Sequence, residues 1–551
     1  MKNVLFRGLI TLSMGTALTG LSTSCTKDLD QTPKYELTPD KVYVDLAGYK
    51  KVLGKLYGGF ALTSINGANG ASDLTAIDGG TGDYLRQLWS AQELTTDEAV
   101  VAWPDPGIQD WHKMNWDANN PLIGGIYNRA YYEIGICNEF IRESTDDKLS
   151  SRLTGADVDQ GKSFRAEARF LRAVSYMHVV DLFGGGPFVT ETDLVGAAIP
   201  VYNTRQQLYS YVESELLALT TALPEYRSEY GRVDRNAAKG MLARLYLNAE
   251  VYNGTPKYAE AAKLAKEVID ARKYTLTNGT AGTAASSAYG LNFLADNNTN
   301  AASSELIWPV LFDVTRTQTY GGTTFLVNGS TSGSSANWQA YVGESTGWGG
   351  LRTTSALFNK FFLQGGDTTV DRRGRFWQAG QTKEINDLSQ FTQGLGVTKY
   401  RNVTSAGVGV GGTLNFSGVD FPMLRVSDMM LIYAEAATRG AADRATALTY
   451  VNQIRRRAFG FDISSASARA DVSDAQMTSQ FILDERAREL HWEGLRRSDL
   501  IRFGQFTEST YLWPWKGGVA AGRTVDNKYK LFPIPLSDLT ANPNLKQNTG
   551  Y

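Results

Sequence analysis

The chain has 551 residues, of which 42% are hydrophobic and 20% are charged, and its formal net charge is −2. This near-neutral balance excludes the basic surface on which nucleic-acid binding depends. Only two cysteines occur in the chain, which excludes a disulfide framework. No long apolar run follows the N-terminal segment, so we expect a soluble body that is attached to a membrane only through lipid or a protein partner.

The N-terminal segment has the layout of a bacterial lipoprotein signal. Lys2 and Arg7 supply positive charge, and residues 8–21 are uncharged and mostly apolar or small. This pattern is typical of a secretory signal peptide and is too short for a membrane-spanning helix. Cys25 follows small residues where cleavage is expected. We predict a signal peptide over residues 1–24, lipidation of Cys25 and a polar tether over residues 25–40; the alternative is an ordinary signal peptide with an incidental cysteine.

Helical periodicity dominates the body predicted for residues 41–551. In chain order, predicted helices cover residues 127–141, 163–182, 206–223 and 233–252, then Ala261–Ile269, and a pair from Val426 to Ile454 that breaks at Gly440. Cys137 is interpreted as a small buried residue, because lipidation of Cys25 leaves it no disulfide partner. Helix pairs with small residues at their contacts indicate a mostly α fold with a tetratricopeptide-like repeat scaffold.

The residue composition and the periodicity of the sequence change between about residues 275 and 421. Gly, Ser, Thr and Asn dominate several stretches, and helical periodicity is short and scattered. We predict a loop-rich region inserted between helical repeats, with short strands such as residues 305–312. Loops held on a rigid scaffold are where binding usually resides; structural filler is the alternative interpretation.

The sequence shows neither the ligand spacing of a metal site nor a phosphate loop. The three histidines, His112, His178 and His491, are far apart and outside any metal-ligand spacing. Residues 184–187 form a Gly-Gly-Gly-Pro turn without the features of a phosphate loop. We expect no catalytic residue, metal or cofactor. Paired carboxylates of a glycoside hydrolase, however, come from distant segments and stay open as an alternative.

The densest charge cluster covers residues 484–502. Glu485, Glu489 and Glu493 recur at every fourth position among several arginines. A neighbouring guanidinium lowers a carboxyl pKa and removes the proton that a general acid must supply. The cluster is therefore interpreted as structural ion pairing rather than acid–base catalysis.

The charge cluster resembles the C-terminal signature of the SusD/RagB family, and three other segments agree with that family in order. The segments are Glu93–Glu98, Phe164–Ala173 with Tyr176 and the Asp181–Pro187 turn, Glu485–Leu500, and Phe532–Pro535 with Asn542–Asn548. The resemblance implies a helical fold with tetratricopeptide-like units and a lipid anchor at the surface of the outer membrane. It also implies a SusC-like TonB-dependent transporter as partner. Members of this family have no catalytic activity and commonly bind oligo- or polysaccharides through exposed aromatic residues.

Two aromatic clusters in loop-like surroundings are the candidates for glycan contact. The predicted ligand-binding residues are Trp103, Asp105, Trp111, Trp338, Tyr341, Trp348 and Arg352. Flat rings stack on the apolar faces of sugars, although most aromatic residues in any fold belong to the core. The alternatives are a peptide or other nutrient as ligand, a secreted glycoside hydrolase, or a scaffold protein without an exposed aromatic platform.

Overall fold

The computed structural model describes residues 38–74, 78–194, 196, 198–279, 281–361 and 371–551. The predicted signal peptide, the lipidation site Cys25 and residues 25–37 of the tether lie outside these ranges. Within them, no helix has the length and apolar character needed to cross a membrane.

The N-terminal half of the scaffold is helical. Its helices are α1 (Pro39–Val42), α2 (Leu46–Gly58), α3 (Tyr84–Glu93), α4 (Asp110–Lys113), α5 (Pro121–Glu143), α6 (Asp146–Arg152), α7 (Ala156–Leu182), α8 (Arg205–Ala222), α9 (Arg235–Leu247), α10 (Ala249–Asn253) and α11 (Tyr258–Asp270). The short strand β1 (Val100–Val101) follows α3, and β2 (Gly186–Phe188) pairs antiparallel with β3 (Val201–Asn203) after α7. The predicted helices of this half are confirmed, with a break at Asn248.

Local sequence signals explain where these helices begin. Asn120 caps α5 by accepting from the backbone N–H groups of Leu122 and Ile123, and Pro121 occupies the first helical position. At the start of α8, Thr204 and Gln207 form a capping box. These caps fix the starts of helices whose apolar faces are then buried by their neighbours.

Between α11 and the next scaffold helix, the chain forms short elements joined by loops. They are β4 (Leu306–Val310), α12 (Gly322–Gly329), α13 (Ala336–Val342), β5 (Leu351–Arg352), α14 (Ser355–Asn359), β6 (Phe376–Trp377), β7 (Gly396–Val397) and β8 (Phe421–Arg425), with 3₁₀ turns at Ala288–Phe293 and Ala301–Ser304. β4 pairs antiparallel with β8, which brings the two ends of this region together. The predicted loop-rich insertion and the predicted strand near residue 305 are confirmed.

The C-terminal part returns to helices. It contains α15 (Val426–Thr438), α16 (Arg444–Phe459), α17 (Ser479–Leu490), α18 (Arg496–Arg502) and α19 (Leu536–Ala541), with 3₁₀ turns at Asp474–Gln476, Lys516–Gly518 and Asn527–Lys530. The scaffold is serial: α7 packs on α5 and α8, α8 on α9, α9 on α11, α11 on α15, and α15 on α16. Because α11 packs directly on α15, the helical stack continues across the insertion, as a repeat scaffold requires.

The charge cluster of α17 holds the insertion on this scaffold. Glu489 accepts hydrogen bonds from Arg425 (2.6 Å), Arg373 (3.1 Å) and Arg457, and all four side chains are buried. Glu493 pairs with Arg425 through two bonds of 2.7 Å. Burial opposes ionisation of Glu489, but the surrounding arginines outweigh it and hold its pKa far below the usual range. The structure therefore confirms the predicted structural ion pairing of this cluster.

Candidate functional site

A two-residue ladder brings the loops of Trp103 and Trp348 together. β1 pairs antiparallel with β5, so that Val101 lies opposite Leu351, and the N–H of Ala102 donates to the carbonyl of Gly350 (2.9 Å). Trp103 then donates its indole N–H to the carbonyl oxygen of Trp348 (3.2 Å). Two tryptophans that are 245 residues apart in the chain are thereby held side by side, and both are partly exposed.

The segment that carries Trp348 is fixed on α12. The N–H of Trp348 donates to the carbonyl of Asn328 (2.8 Å), and that of Gly350 donates to the carbonyl of Gly329 (2.8 Å). A side chain at residue 350 would collide with the indole of Trp103, since a Cβ there would lie 2.1 Å from the ring. Glycine at this position therefore lets the Trp103 ring lie directly against the backbone.

Tyr320 completes a group of three neighbouring rings. The ring of Trp348 lies 6.4 Å from that of Trp103 at an interplanar angle of 48°, and 6.1 Å from that of Tyr320 at 65°. Tyr320 is also partly exposed, and its hydroxyl donates to the side chain of Asn69 (2.8 Å). We call Trp103, Tyr320 and Trp348 the Trp103 cluster; it offers inclined aromatic faces at the surface.

Polar side chains border the Trp103 cluster. The guanidinium of Arg86 lies 4.3 Å from the ring centre of Phe325 and 5.8 Å from that of Trp103, and its Nη1 donates to the carbonyls of Gly80 and Tyr320. Burial lowers the pKa of Arg86 to about 10, against the opposing effect of nearby carboxylates that include Asp105. Arg86 therefore stays charged at neutral pH. With the exposed side chains of Asn69 and Asp105, it supplies hydrogen-bonding groups next to the rings.

Two predicted ligand contacts are wrong because the side chains are buried. Trp111 is 1% exposed, and its ring packs edge-on against Phe532 at 5.0 Å, inside the core. Arg352 is 0% exposed, and it donates to the carbonyls of Leu388 and Gln390 (2.8 Å each). The short helix α4 turns Trp111 inward, and pairing of β5 with β1 commits Arg352 to the interior.

The exposure predicted for Trp338 is also wrong, whereas that for Tyr341 is confirmed. Trp338 is 1% exposed and stacks against Trp377 at 5.2 Å and 12°, and against Phe391 at 5.6 Å and 26°. Tyr341 is 37% exposed, but it lies beside Trp377 and belongs to this separate group of rings. The predicted cluster of Trp338, Tyr341 and Trp348 is therefore divided between two places on the insertion.

Sequence reasoning missed Tyr320 and Arg86. Tyr320 lies between polar residues and two glycines, the same signal that pointed to Trp348, so it was recognisable in principle. Arg86 lies on α3 among residues that are otherwise buried, and no pattern in the sequence distinguishes it from a structural arginine.

The other titratable groups of interest are enclosed. His112 and His491 are buried. The Nδ1 atom of His178 and the hydroxyl of Tyr84 share a hydrogen bond of 2.7 Å. Burial lowers the pKa of His112 to about 3. Across the residues that the structure describes, no three His, Cys, Asp or Glu side chains are arranged to hold a metal ion.

Comparison with family models gives two matches. Residues 370–551 match the model described as the SusD family, and residues 85–247 match the model described as starch-binding and associating with the outer membrane. Together the matched ranges contain the rings of Trp103 and Trp377 and the charge cluster of α17.

Comparison with individual proteins agrees with the family models. The starch-binding protein SusD of Bacteroides thetaiotaomicron is 31% identical over an alignment that covers 100% of both chains. A solved SusD homologue from B. thetaiotaomicron superposes with a TM-score of 0.69 at 20% identity, covering 93% of this chain and 98% of that one. Surface glycan-binding protein A from the same species, solved with laminarihexaose, gives a TM-score of 0.66 at 19% identity, covering 91% and 99%. The two structural likenesses establish the fold alone.

Proposed function

The chain belongs to the SusD family, and from this we propose that it captures a glycan on the Trp103 cluster and delivers it to a SusC-like TonB-dependent transporter. The observation that supports this proposal is a set of three partly exposed rings near Arg86, Asn69 and Asp105, in which strand pairing holds Trp103 beside Trp348 and Tyr320 packs against Trp348. Aromatic faces stack on the apolar faces of sugar rings, and the neighbouring polar groups hydrogen-bond hydroxyls.

An α-linked glucan is the proposed ligand class. The full-length relative at 31% identity is named for starch binding. The inclinations of 48° and 65° within the Trp103 cluster form a bent surface, which suits a glycan that curves from one sugar to the next. A flat ribbon-like chain would be better matched by coplanar rings.

Attachment to the outer membrane agrees with the description of the family model matched by residues 85–247. The proposed anchor is lipid on Cys25, and the proposed partner is the transporter, over which the protein would hold its ligand.

Co-expression with the SusC-like transporter of its own host, followed by size-exclusion chromatography in detergent, should give one complex. Separate elution of the two proteins would contradict the partnership.

We also propose that the chain is a binding protein without hydrolytic activity. The relatives are named as binding proteins, and the carboxylates of the charge cluster are ion-paired to arginines, which leaves them without a proton to donate.

Calorimetry with amylopectin and with laminarin tests the proposed ligand. Amylopectin should bind, laminarin should bind more weakly or not at all, and Trp348→Ala should weaken amylopectin binding by about two- to tenfold. Tyr226→Ala is the matched control, because Tyr226 is 43% exposed and its ring packs on Tyr274 rather than on the Trp103 cluster. Equal binding by the Trp348→Ala variant would contradict the proposed site.

A further inference from the structure

A second group of aromatic rings lies at the surface of the insertion. Trp377 and Tyr341 are both at least partly exposed, and their ring centres are 5.8 Å apart at an angle of 50°. This spacing and inclination match those of Trp103 and Trp348, which are 6.4 Å apart at 48°. We call Trp377 and Tyr341 the Trp377 pair.

Buried groups hold both rings of the Trp377 pair in position. Trp377 stacks on the buried indole of Trp338 at 5.2 Å, and its own indole N–H donates to the carbonyl of Ala379 (3.1 Å). The guanidinium of Arg401 lies 3.8 Å from the ring centre of Tyr341 and donates to that residue's carbonyl (2.8 Å). Surface rings that are fixed before binding lose little conformational entropy when a ligand stacks on them.

Phe391 connects the Trp377 pair to the Trp103 cluster. Its ring stacks on Trp338 at 5.6 Å, and it also lies 3.6 Å from the Cβ position of Gly349, the residue after Trp348. Phe391 is itself partly exposed. Phe391 therefore lies beside both Trp338, which supports the Trp377 pair, and the backbone next to Trp348, so the two separate groups of rings are close to each other.

Hydrogen-bonding groups accompany the second group as they do the first. Gln378 follows Trp377 in the chain, Asn337 precedes Trp338, and both amides are exposed. Amide side chains offer donors and acceptors for sugar hydroxyls. Charged carboxylates are not needed for this chemistry, and a neutral polysaccharide fits it.

We propose that the Trp377 pair is a second stacking subsite, which binds a distal part of the glycan chain whose proximal part occupies the Trp103 cluster. This proposal rests on the proposed glycan-binding function and extends it to chain length. A short oligosaccharide occupies the Trp103 cluster alone, whereas a long chain engages both groups. Linked contacts of this kind raise affinity because the second contact forms at a high effective concentration.

Calorimetry with maltotriose and affinity electrophoresis with amylopectin test the proposal on the purified mature protein. Trp377→Ala and Tyr341→Ala should leave the maltotriose affinity unchanged and weaken retardation by amylopectin by about two- to tenfold. Trp348→Ala should weaken both. Tyr226→Ala, another exposed tyrosine, should change neither.

The outcomes distinguish failure of the second subsite from failure of the proposed glycan-binding function. Unchanged amylopectin affinity in both folded variants would overturn the second subsite and leave the Trp103 cluster intact. Loss of maltotriose affinity in Tyr341→Ala would overturn the division into two subsites. If Trp377→Ala fails to fold by circular dichroism, the Tyr341→Ala result alone decides. Wild-type protein that binds neither ligand would overturn the proposed α-glucan function and the subsite with it.

Discussion

Asp97 and Arg496 form a bidentate ion pair across 399 residues of sequence, with Nε–Oδ1 and Nη2–Oδ2 distances of 2.7 and 2.8 Å. Both side chains are buried, and the hydroxyl of Tyr511 donates to the same carboxylate (2.5 Å). Burial opposes ionisation of Asp97, but the charge and hydrogen bonds of Arg496 outweigh it and lower the pKa to about 2. The pair joins the loop after α3 to the start of α18.

The same junction gathers the other segments that carry the family resemblance. Glu93 accepts from the backbone N–H of Gly494 (2.7 Å), and Asp181, near the end of α7, accepts from Ser498 (2.8 Å). The N–H of Phe532 donates to the carbonyl of Leu182 (2.8 Å). The recognisable segments thus meet inside the fold, which explains why they predict the family and say little about the ligand.

Replacing Asp97 by Asn should destabilise the protein strongly. The substitution removes the bidentate counter-charge of the buried Arg496 guanidinium, and loss of one partner costs about 3–5 kcal/mol in comparable buried pairs. Urea denaturation measures the loss. Asp146→Asn is the matched control, because Asp146 pairs with Arg165 at an exposed position and should change stability little. Similar losses in both variants would contradict a special role for the junction.

Much of the scaffold could be predicted from the sequence, because its helices bury apolar and alanine faces at regular spacing. α8 and α11 show this pattern plainly, and their predicted extents agree with the structure. The insertion was recognisable by its composition. The direct packing of α11 on α15 was not, because it depends on a long-range contact between segments that the insertion separates.

The candidate site was only partly predictable. Trp103 and Trp348 lie at the surface as expected, but Trp111 and Trp338 occupy similar loop-like sequence and are buried. Which face of a short helix such as α4 or α13 turns inward depends on what packs against it, and no local pattern records that. The juxtaposition of Trp103 with Trp348 likewise depends on strand pairing between distant segments.

Glu489→Gln should destabilise the fold by about 3 kcal/mol, because three arginines lose a shared buried counter-charge. Amylopectin affinity of the folded fraction should not change, since Glu489 is buried away from the rings. Thermal melts and affinity electrophoresis measure the two effects, with Glu260→Gln on the exposed face of α11 as control. Hydrolytic activity that vanishes in a folded Glu489→Gln variant would instead identify an enzyme.

Because of Glu133, the free energy of unfolding should fall as the pH rises towards about 8. Burial raises the pKa of Glu133 to about 8, so the folded state keeps its proton at pH values where the unfolded state has lost it. The stability contributed by the protonated form is complete below about pH 4.3 and declines by ~1.4 kcal/mol per pH unit until about pH 8. Glu133→Gln should therefore gain stability relative to wild type between pH 5 and pH 8.

Urea denaturation at several pH values measures that gain. Glu139→Gln, on the same helix α5 and partly exposed, is the control for removal of one negative charge. If the Glu133→Gln and wild-type curves differ by the same amount at every pH, the carboxyl is ionised in the folded protein and the expected linkage is wrong.

Cys25→Ser should abolish attachment to the membrane, because acylation requires the thiol. The wild-type protein should enter the detergent phase in phase separation, and the variant should remain in the aqueous phase or unprocessed. Cys137→Ser is the control for loss of a thiol, since Cys137 is buried in α5. Detergent partitioning that survives Cys25→Ser would contradict lipidation at this residue.

Gly350→Ala should weaken glycan binding without removing any ring. The new Cβ would lie 2.1 Å from the indole of Trp103, so the ring must turn away from the position that the β1–β5 ladder gives it. We expect amylopectin affinity to fall by about two- to tenfold, comparable with loss of one stacking contact, and stability to fall by about 1–3 kcal/mol.

Gly54→Ala is the matched control for Gly350→Ala, because no atom outside the adjacent residues and the backbone of α2 lies within 4 Å of its Cβ position. Alanine there favours the helix and should leave binding unchanged. Near-ultraviolet circular dichroism of Gly350→Ala should change as the tryptophan environment changes, while the far-ultraviolet spectrum stays the same. Wild-type affinity together with an altered near-ultraviolet spectrum would show that the orientation of Trp103 does not govern binding, and the stacking role of this ring would have to be abandoned.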